Sequence, residues 1–134
     1  MSIKKNLLLQ LFIAIFMASS CEDGVLSTKD MLTQSWVLTE TTINGNENYT
    51  ESLFYKSNIY TFFQDEKLQI VITQNQGIIN GTWFLNEDGL VLTIALSGVM
   101  YDYKIVKLDS TNLWLSIETD SGLYLYKFFK IPDE

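Results

Sequence analysis

Apolar and polar residues alternate along most of the chain after residue 35, with the period of β-strands that bury one face. The first such stretch ends at Asn44-Gly45, a dipeptide typical of tight hairpin turns. Further stretches follow, separated by short polar turns. The predicted strands are residues 36–43, 58–64, 68–72, 81–85, 90–96, 101–108, 113–118 and 123–131. No interval between them holds a crossover helix, so the sheet is predicted to be antiparallel.

Three local features refine this pattern. Val106 and Leu108 lie on the other parity from Ile105, which predicts a β-bulge in that strand. The last predicted strand is apolar on both faces, so its inward parity stays open. Before the strands, Ser27 and Asp30 have the spacing of a capping box, and one helical turn is predicted over residues 28–33.

About eight short strands joined by turns favour an all-β fold. We predict a small antiparallel up-and-down barrel of about eight strands with one short N-terminal helical turn, and a β-sandwich is the alternative. A closed barrel leaves no free sheet edge, which suits long apolar strands with few edge lysines. The longer segment after the first strand, residues 46–57, is irregular and is predicted to fold over an edge or the mouth.

The first 20 residues follow a different pattern. Two lysines precede an apolar run, residues 7–17, which is shorter than the roughly 20 residues that span a bilayer. Small residues come next, Ala18-Ser-Ser, and then Cys21, the only cysteine. A basic start, a short apolar run and small residues are typical of a signal peptide. A cysteine directly after them resembles a bacterial lipobox, with Ala18 where leucine is usual.

A lipobox of this loose kind resembles those of Bacteroidetes-type bacteria. The resemblance implies cleavage before Cys21 and a diacylglycerol on its thiol. Glu22 and Asp23 stand where such proteins carry an acidic signal for export to the cell surface, although they would serve equally as a soluble tether. We therefore predict a lipoprotein anchored in the bacterial cell envelope, at the outer membrane and the cell surface. A plain signal peptide or a short anchor helix is the alternative.

This interpretation divides the chain into three parts. Residues 1–20 are the signal peptide, residues 21–26 a lipidated tether, and residues 27–134 the folded domain. Loss of residues 1–20 removes two of the nine lysines and no acidic residue, which changes the formal net charge from −7 to −9. The chain has no arginine, so it lacks the basic stripe that a nucleic-acid partner needs. The membrane would be contacted through the lipid anchor.

The composition leaves little for catalysis. Without histidine, and with the one thiol lipidated, nucleophilic triads and the usual nitrogen and sulfur zinc sites are excluded. The paired carboxylates, Asp65-Glu66 and Glu87-Asp88, fall in predicted turns, as does Asp120. Carboxylates in such turns are usually turn formers. We predict a protein that is not an enzyme and that has no cofactor or metal site.

Several short motifs, taken in order, resemble the lipocalin-like domains of small Bacteroidetes lipoproteins. The motifs are a tryptophan after the helical turn, Tyr60-Thr-Phe62, Gly81-Thr-Trp83-Phe-Leu85, Tyr103-Lys-Ile105 with Leu108, and Leu113-Trp-Leu115. The resemblance covers about residues 30–131 and implies a barrel of about eight strands that has room for a ligand cavity. The Gly-x-Trp of true lipocalins is absent, since Gln34 and Ser35 precede Trp36.

Aromatic residues predicted to face inward form the candidate ligand site. A barrel of this size is either filled by side chains or holds one small ligand. Bulky inward residues in so short a chain favour filling, and a functional apolar cavity is the alternative. The candidate ligand-binding residues are Trp36, Phe62, Trp83, Tyr101 and Tyr103.

Trp114 is predicted to face outward, among Ser116 and Glu118. It marks either a surface for a partner or a site covered by a loop. The loop that would cover it is residues 49–57. Two functions follow from these patterns. The first is a surface-anchored lipoprotein whose barrel binds a small apolar or amphipathic ligand. The second is a solid interaction or accessory lipoprotein that binds an envelope protein or glycan through residues 44–57 and the face around Trp114.

Overall fold

The computed structural model describes residues 28–47 and 56–132, and all structural statements below concern those residues. They form one helical turn, α1 (residues 28–32), and nine strands. The strands are β1 (Ser35–Ile43), β2 (Asn46–Glu47), β3 (Ile59–Phe62), β4 (Lys67–Ile72), β5 (Gly77–Leu85), β6 (Val91–Leu96), β7 (Val99–Leu108), β8 (Asn112–Thr119) and β9 (Gly122–Lys130). The predicted N-cap Ser27 and the predicted anchor Cys21 lie outside the described residues.

The strands form a closed antiparallel barrel. From β3 to β9 each strand pairs with the next in sequence, β1 pairs with β3, and β9 returns to pair with β1. We call this β1–β9 pairing the closing seam; it runs from Trp36 opposite Lys130 to Ile43 opposite Tyr124. The short β2 is an extra strand attached to β1. The predicted eight-stranded up-and-down barrel is confirmed, and closure removes the sandwich alternative.

Two strands differ most from their predicted bounds, and the others agree within two residues at each end. The strand predicted over residues 58–64 is shorter, and the one predicted over residues 81–85 starts at Gly77. Residues 77–80 pair with β4, whereas pairing of β5 with β6 begins only at Thr82. This extension therefore projects past β6, with Ile78 57% and Ile79 37% exposed. Neighbouring apolar residues that are both exposed give no alternation, which is why the pattern missed them.

The predicted bulge in β7 is confirmed, and a second bulge was not predicted. The pairing register of β7 with β8 shifts between Ile105 and Lys107. In the closing seam, the register shifts between Leu38 and Glu40. Each bulge inserts one extra residue and so restores the inward parity of the residues that follow.

The last strand has a definite inner face. Phe128 is buried, whereas Leu123 and Phe129, on the other parity, are about half exposed. Tyr124 and Tyr126 share the parity of Phe128 and stack on each other with ring centroids 6.2 Å apart. The outward positions also hold apolar residues, Leu123, Leu125 and Phe129, which accounts for the pattern of two apolar faces.

The end of the barrel next to α1 is filled by side chains, and we call it the filled end. Leu32 of α1 and Trp36 are fully buried there, and the indole N–H of Trp36 donates a 3.0 Å hydrogen bond to the Leu32 carbonyl. Phe62 and Trp83 meet edge to face at 5.6 Å. The indole N–H of Trp83 donates to the Phe63 carbonyl at 3.0 Å. Both buried indoles are thus satisfied by backbone atoms, as burial of a polar group requires.

The predicted turns at Asn44-Gly45 and at residues 109–112 are confirmed. Asn44 (φ 52°) and Gly45 (φ 84°) both have the positive φ of a type I′ turn, which glycine and asparagine tolerate best. In the other turn, the Asp109 carboxylate accepts hydrogen bonds from the backbone N–H groups of Thr111 and Asn112. These bonds stabilise the charged form and lower the pKa of Asp109.

Substitution of Gly81 by alanine is expected to destabilise the barrel. An added Cβ would lie 2.5 Å from the Ala95 carbonyl oxygen and 2.6 Å from a Leu96 methyl, closer than such atoms pack. We expect Gly81→Ala to lower the free energy of unfolding by about 1–3 kcal/mol in urea denaturation. The control is Asn80→Ala at the exposed neighbouring position, with a change within about 0.5 kcal/mol. Equal stability of the two variants would contradict the close approach of β5 and β6.

Candidate functional site

The half of the barrel away from the filled end encloses a cavity of about 300 Å³. Six strands supply its walls, and every lining side chain has the inward parity of its strand. The lining residues are Leu38, Tyr60, Ile94, Tyr101, Tyr103, Leu115, Tyr126 and Phe128. None of them carries a formal charge at neutral pH, so the cavity is an apolar space edged with phenol hydroxyls.

The floor and the upper wall of the cavity differ in chemistry. Leu38, Ile94, Leu115 and Phe128 are almost fully buried and form an apolar floor against the filled end. Tyr101 lies near the start of β7, at the opposite end, and is 37% exposed. The cavity therefore reaches solvent beside Tyr101, and we call this opening the mouth.

Ring contacts hold the tyrosines in place. Tyr103 lies 6.4 Å from Tyr101 and meets Tyr126 edge to face at 6.1 Å. Across the floor, Tyr60 meets Phe128 edge to face at 4.9 Å. These separations fall in the favourable range for aromatic pairs. The cavity wall is consequently preorganised by contacts among its own aromatic residues.

The Tyr103 hydroxyl has a strongly perturbed pKa. Burial, and to a smaller extent the charge of the neighbouring Tyr101 phenol, raise the pKa of Tyr103 to about 12. Burial acts this way because a phenolate loses more hydration than a neutral phenol. Tyr103 is thus a neutral phenol throughout the physiological range and can donate a hydrogen bond into the cavity.

The structure separates the five residues predicted to bind a ligand. Tyr101 and Tyr103 line the cavity, whereas Trp36, Phe62 and Trp83 face inward but belong to the filled end. An interior filled by side chains and an apolar cavity, the two alternatives considered from the sequence, therefore both occur, one in each half of the barrel. Ligand binding by these residues stays a prediction.

Sequence reasoning omitted three aromatic residues of the cavity wall. Tyr60 shares the parity of Phe62 and could have been found from that alternation. Tyr126 and Phe128 lie in the strand whose two faces are both apolar, where the sequence offered no way to choose the inner face. The closing seam decides that choice, because it sets Phe128 opposite Leu38.

Trp114 lies on the outer surface in a cross-strand row. Lys107 of β7 and Lys127 of β9 flank it in register, with their ammonium nitrogens 4.7 Å and 4.5 Å from the ring centroid. Lys127 also forms a 3.2 Å ion pair with Glu40 of β1. We call Lys107, Trp114, Lys127 and Glu40 the outer row. Cation–π contacts of this kind stabilise an exposed site by about 0.5–1 kcal/mol.

These contacts leave Trp114 half-buried beneath two lysine side chains. They give it a structural role in joining neighbouring strands. Its role in binding an envelope protein or glycan stays a prediction. Most of the loop named with it, residues 48–55 of the predicted 44–57 surface, lies outside the described residues.

The carboxylates weighed for catalysis lie in turns, as predicted. Asp65 is exposed and lies 3.6 Å from the Lys67 ammonium, in a turn beside the filled end. Glu87 and Asp88 are exposed in the turn between β5 and β6, and Asp120 is exposed between β8 and β9. Within residues 28–47 and 56–132, no three acidic, cysteine or histidine side chains are grouped to hold a metal ion.

The barrel closely resembles solved structures of two Bacteroides proteins. A lipocalin-like protein from Bacteroides uniformis is 17% identical with a TM-score of 0.58, and the match covers 75% of this chain and 99% of that one. An uncharacterized protein from Bacteroides eggerthii is 14% identical with a TM-score of 0.55 and the same coverage. At this identity the likeness concerns the fold. The predicted lipocalin-like fold is confirmed.

Sequence-based comparisons add no further relative. No protein-family model matches the chain, and no curated protein is significantly similar to it. In the part of the chain that the structure describes, no helix is long and apolar enough to cross a membrane.

Alkaline titration tests the environment of Tyr103. Its folded pKa of about 12 exceeds the ordinary value near 10. The neutral phenol therefore favours the folded state fully below about pH 10, and this stabilisation is lost as the pH rises towards 12. We expect ultraviolet difference absorbance to show a late-ionising tyrosine component in the wild type that is smaller by one tyrosine in Tyr103→Phe. Tyr124→Phe, a change outside the cavity lining, should retain it; loss of the late component there would contradict the assignment.

Proposed function

We propose that this protein is a lipid-anchored lipocalin-like barrel that binds one small apolar or amphipathic ligand in its cavity. The observation that carries the proposal is the cavity of about 300 Å³, beside an end of the same barrel whose interior is occupied by buried side chains. Filling an interior with side chains stabilises a fold, and leaving space in it costs stability. A small domain that has no second cysteine for an internal disulfide gains most from filling, so a retained cavity favours a binding role.

The opening of the cavity supports capture of an apolar molecule. Tyr101 lines the cavity and is partly exposed, so a ligand can reach the interior beside it. Val99 and Met100, on the same hairpin, are 51% and 61% exposed. Exposed apolar residues next to a cavity mouth give an apolar ligand a favourable surface on its way in.

The size of the cavity limits the ligand. At about 30 Å³ for each water molecule, 300 Å³ corresponds to roughly ten waters. A ligand of roughly ten non-hydrogen atoms fills it, at the small end of the range for ligand pockets. A long acyl chain or a macrocycle would not fit inside.

Binding accounts for the lining better than catalysis does. General acid–base chemistry uses a group whose pKa lies near the working pH. The lining residues that the structure describes hold no carboxylate, amine, imidazole or thiol, and the pKa of Tyr103 is raised away from neutrality. These features support a binding protein rather than an enzyme.

The lipid anchor would set the orientation of the barrel. The proposal places the anchor at Cys21, seven residues before α1, which lies at the filled end. Seven extended residues reach at most about 25 Å. The filled end would be held near the bilayer and the mouth would face away from it. This orientation suits a ligand that arrives from the surroundings of the outer membrane, with Glu22 and Asp23 as the signal for surface export.

Filling the cavity is expected to abolish ligand binding. Ile94→Phe adds a ring inside the cavity from a buried position on β6, whereas Val106→Phe adds the same bulk on the outer surface. Native mass spectrometry of protein purified from its own host should show a bound small molecule in the wild type and in Val106→Phe. Ile94→Phe should lack it and remain folded. A wild-type protein that is uniformly free of any small molecule would contradict the proposal.

Replacement of Cys21 tests the anchor. We expect metabolic labelling with a clickable fatty acid to mark the wild type and to leave Cys21→Ala unlabelled, because no other thiol is present. Ser20→Ala keeps the cysteine and should remain labelled. Label on Cys21→Ala, or none on the wild type, would overturn lipidation. Protease treatment of intact cells then distinguishes surface exposure from an inner leaflet.

A further inference from the structure

The polar groups of the cavity are all of one kind. Four of its lining residues are tyrosines, and the others are leucine, isoleucine and phenylalanine. A ligand inside therefore meets aromatic faces, aliphatic groups and phenol hydroxyls. Among the described lining residues, it meets no ammonium or carboxylate group that could neutralise a charge of its own.

Two of these hydroxyls have bonding capacity that the protein does not use. Tyr101 and Tyr103 make ring contacts, but within residues 28–47 and 56–132 their hydroxyls form no hydrogen bond. A phenol hydroxyl is both donor and acceptor, and it gains from a partner when it is removed from water. The two residues are neighbours on the inner face of β7, and the charge of an ionised Tyr101 raises the pKa of Tyr103. Their hydroxyls therefore share one part of the cavity wall.

We propose that the cavity selects uncharged molecules about the size of a substituted benzene ring that carry a hydrogen-bond acceptor such as a carbonyl oxygen, with Tyr101 and Tyr103 as the donors. This inference rests on the proposed binding function and specifies its ligand. A carbonyl oxygen has two lone pairs and can accept from both phenols. The aromatic walls favour a flat ring, which packs against them edge to face or offset.

Charged ligands are disfavoured by the same lining. Burial of a charge that has no partner is costly, and the described lining residues supply no counter-ion for an anion or a cation. The Tyr103 phenol, whose pKa is raised to about 12, stays protonated and so cannot act as the anionic partner of a cation. At the mouth end, the described residues include Glu47, Glu118 and Asp120 against Lys56, which repels approaching anions further.

Four ring compounds of equal size and nearly equal shape test the selection. Acetophenone is neutral and carries a carbonyl, whereas α-methylstyrene replaces that oxygen by a methylene group. Benzoate is the anionic counterpart and benzamidine the cationic one. Binding to the full protein, purified from its host and freed of small molecules, is measured by isothermal titration. The heat measured with the Ile94→Phe variant is subtracted from the heat measured with the wild type. This subtraction removes the contribution of ligand that partitions into detergent or lipid.

We expect acetophenone to bind about five- to tenfold more tightly than α-methylstyrene, the effect of one or two hydrogen bonds. Benzoate and benzamidine should bind more weakly than either neutral compound. Tyr103→Phe should reduce the preference for acetophenone, because it removes one of the two donors, and should leave the affinity of α-methylstyrene unchanged. Tyr101→Phe serves if the first variant does not fold. Tyr124→Phe should keep the preference, since Tyr124 is not among the lining residues.

The outcomes separate this inference from the function on which it rests. Equal binding of the two neutral compounds, or tighter binding of benzoate or benzamidine, overturns the selection and leaves a ligand-binding cavity. A preference for acetophenone that is undiminished in both phenylalanine variants also overturns the assigned donors. Absence of binding by all four compounds, with no small molecule in the protein from its host, overturns the proposed function itself.

Discussion

The pairing of the first and last barrel strands is the constraint on which the rest of this structure depends. The closing seam joins residues that are almost a hundred positions apart, and no disulfide is available to assist it. Without it, β1 and β9 would each expose a row of unpaired backbone groups. One strand of the seam, β1, carries Trp36 in the filled end, Leu38 in the cavity floor and Glu40 in the outer row. The seam therefore fixes both halves of the interior as well as the outer surface.

The two bulges connect the interior to the outer row. Each lies beside a residue of that row: one precedes Glu40 in β1 and the other precedes Lys107 in β7. An extra residue at each place keeps the inward residues inward on both sides of the bulge and sets the row in register around Trp114. The strands joined by the row, β7, β8, β9 and β1, also supply most of the cavity wall. Contacts on the outside of the barrel thus stabilise the spacing of the tyrosines inside it.

Strands and bulges were predicted correctly where the pattern of apolar residues is consistent with only one choice of inner face. The bulge in β7 was visible because Ile105 and Leu108 are both apolar and lie on opposite parities. The bulge in β1 could not be predicted, because the residues from Thr39 to Thr42 are all polar and do not indicate which side of the strand is buried. The start of β5 was missed for a related reason, since its isoleucines are exposed on both faces. Alternation of apolar and polar residues reveals a strand only where one face of the strand is buried. It gives no signal where a strand projects beyond its neighbour.

The division of the interior into a filled end and a cavity could not be predicted from the alternation of apolar residues. Alternation shows which side chains face inward, but it does not show where they lie along the barrel axis. All five predicted aromatic residues do face inward, but the stagger of the strands decides which lie together. The filled end and the cavity also differ in how their polar side-chain atoms are hydrogen-bonded. Both indoles lie where α1 and a turn offer a backbone carbonyl, from Leu32 and Phe63, so the filled end satisfies its own polar atoms. The hydroxyls of Tyr101 and Tyr103 lie beyond the reach of such groups in the described chain. The buried indoles of one end are therefore hydrogen-bonded within the protein, whereas the other end retains phenol donors for a molecule that the protein does not itself provide.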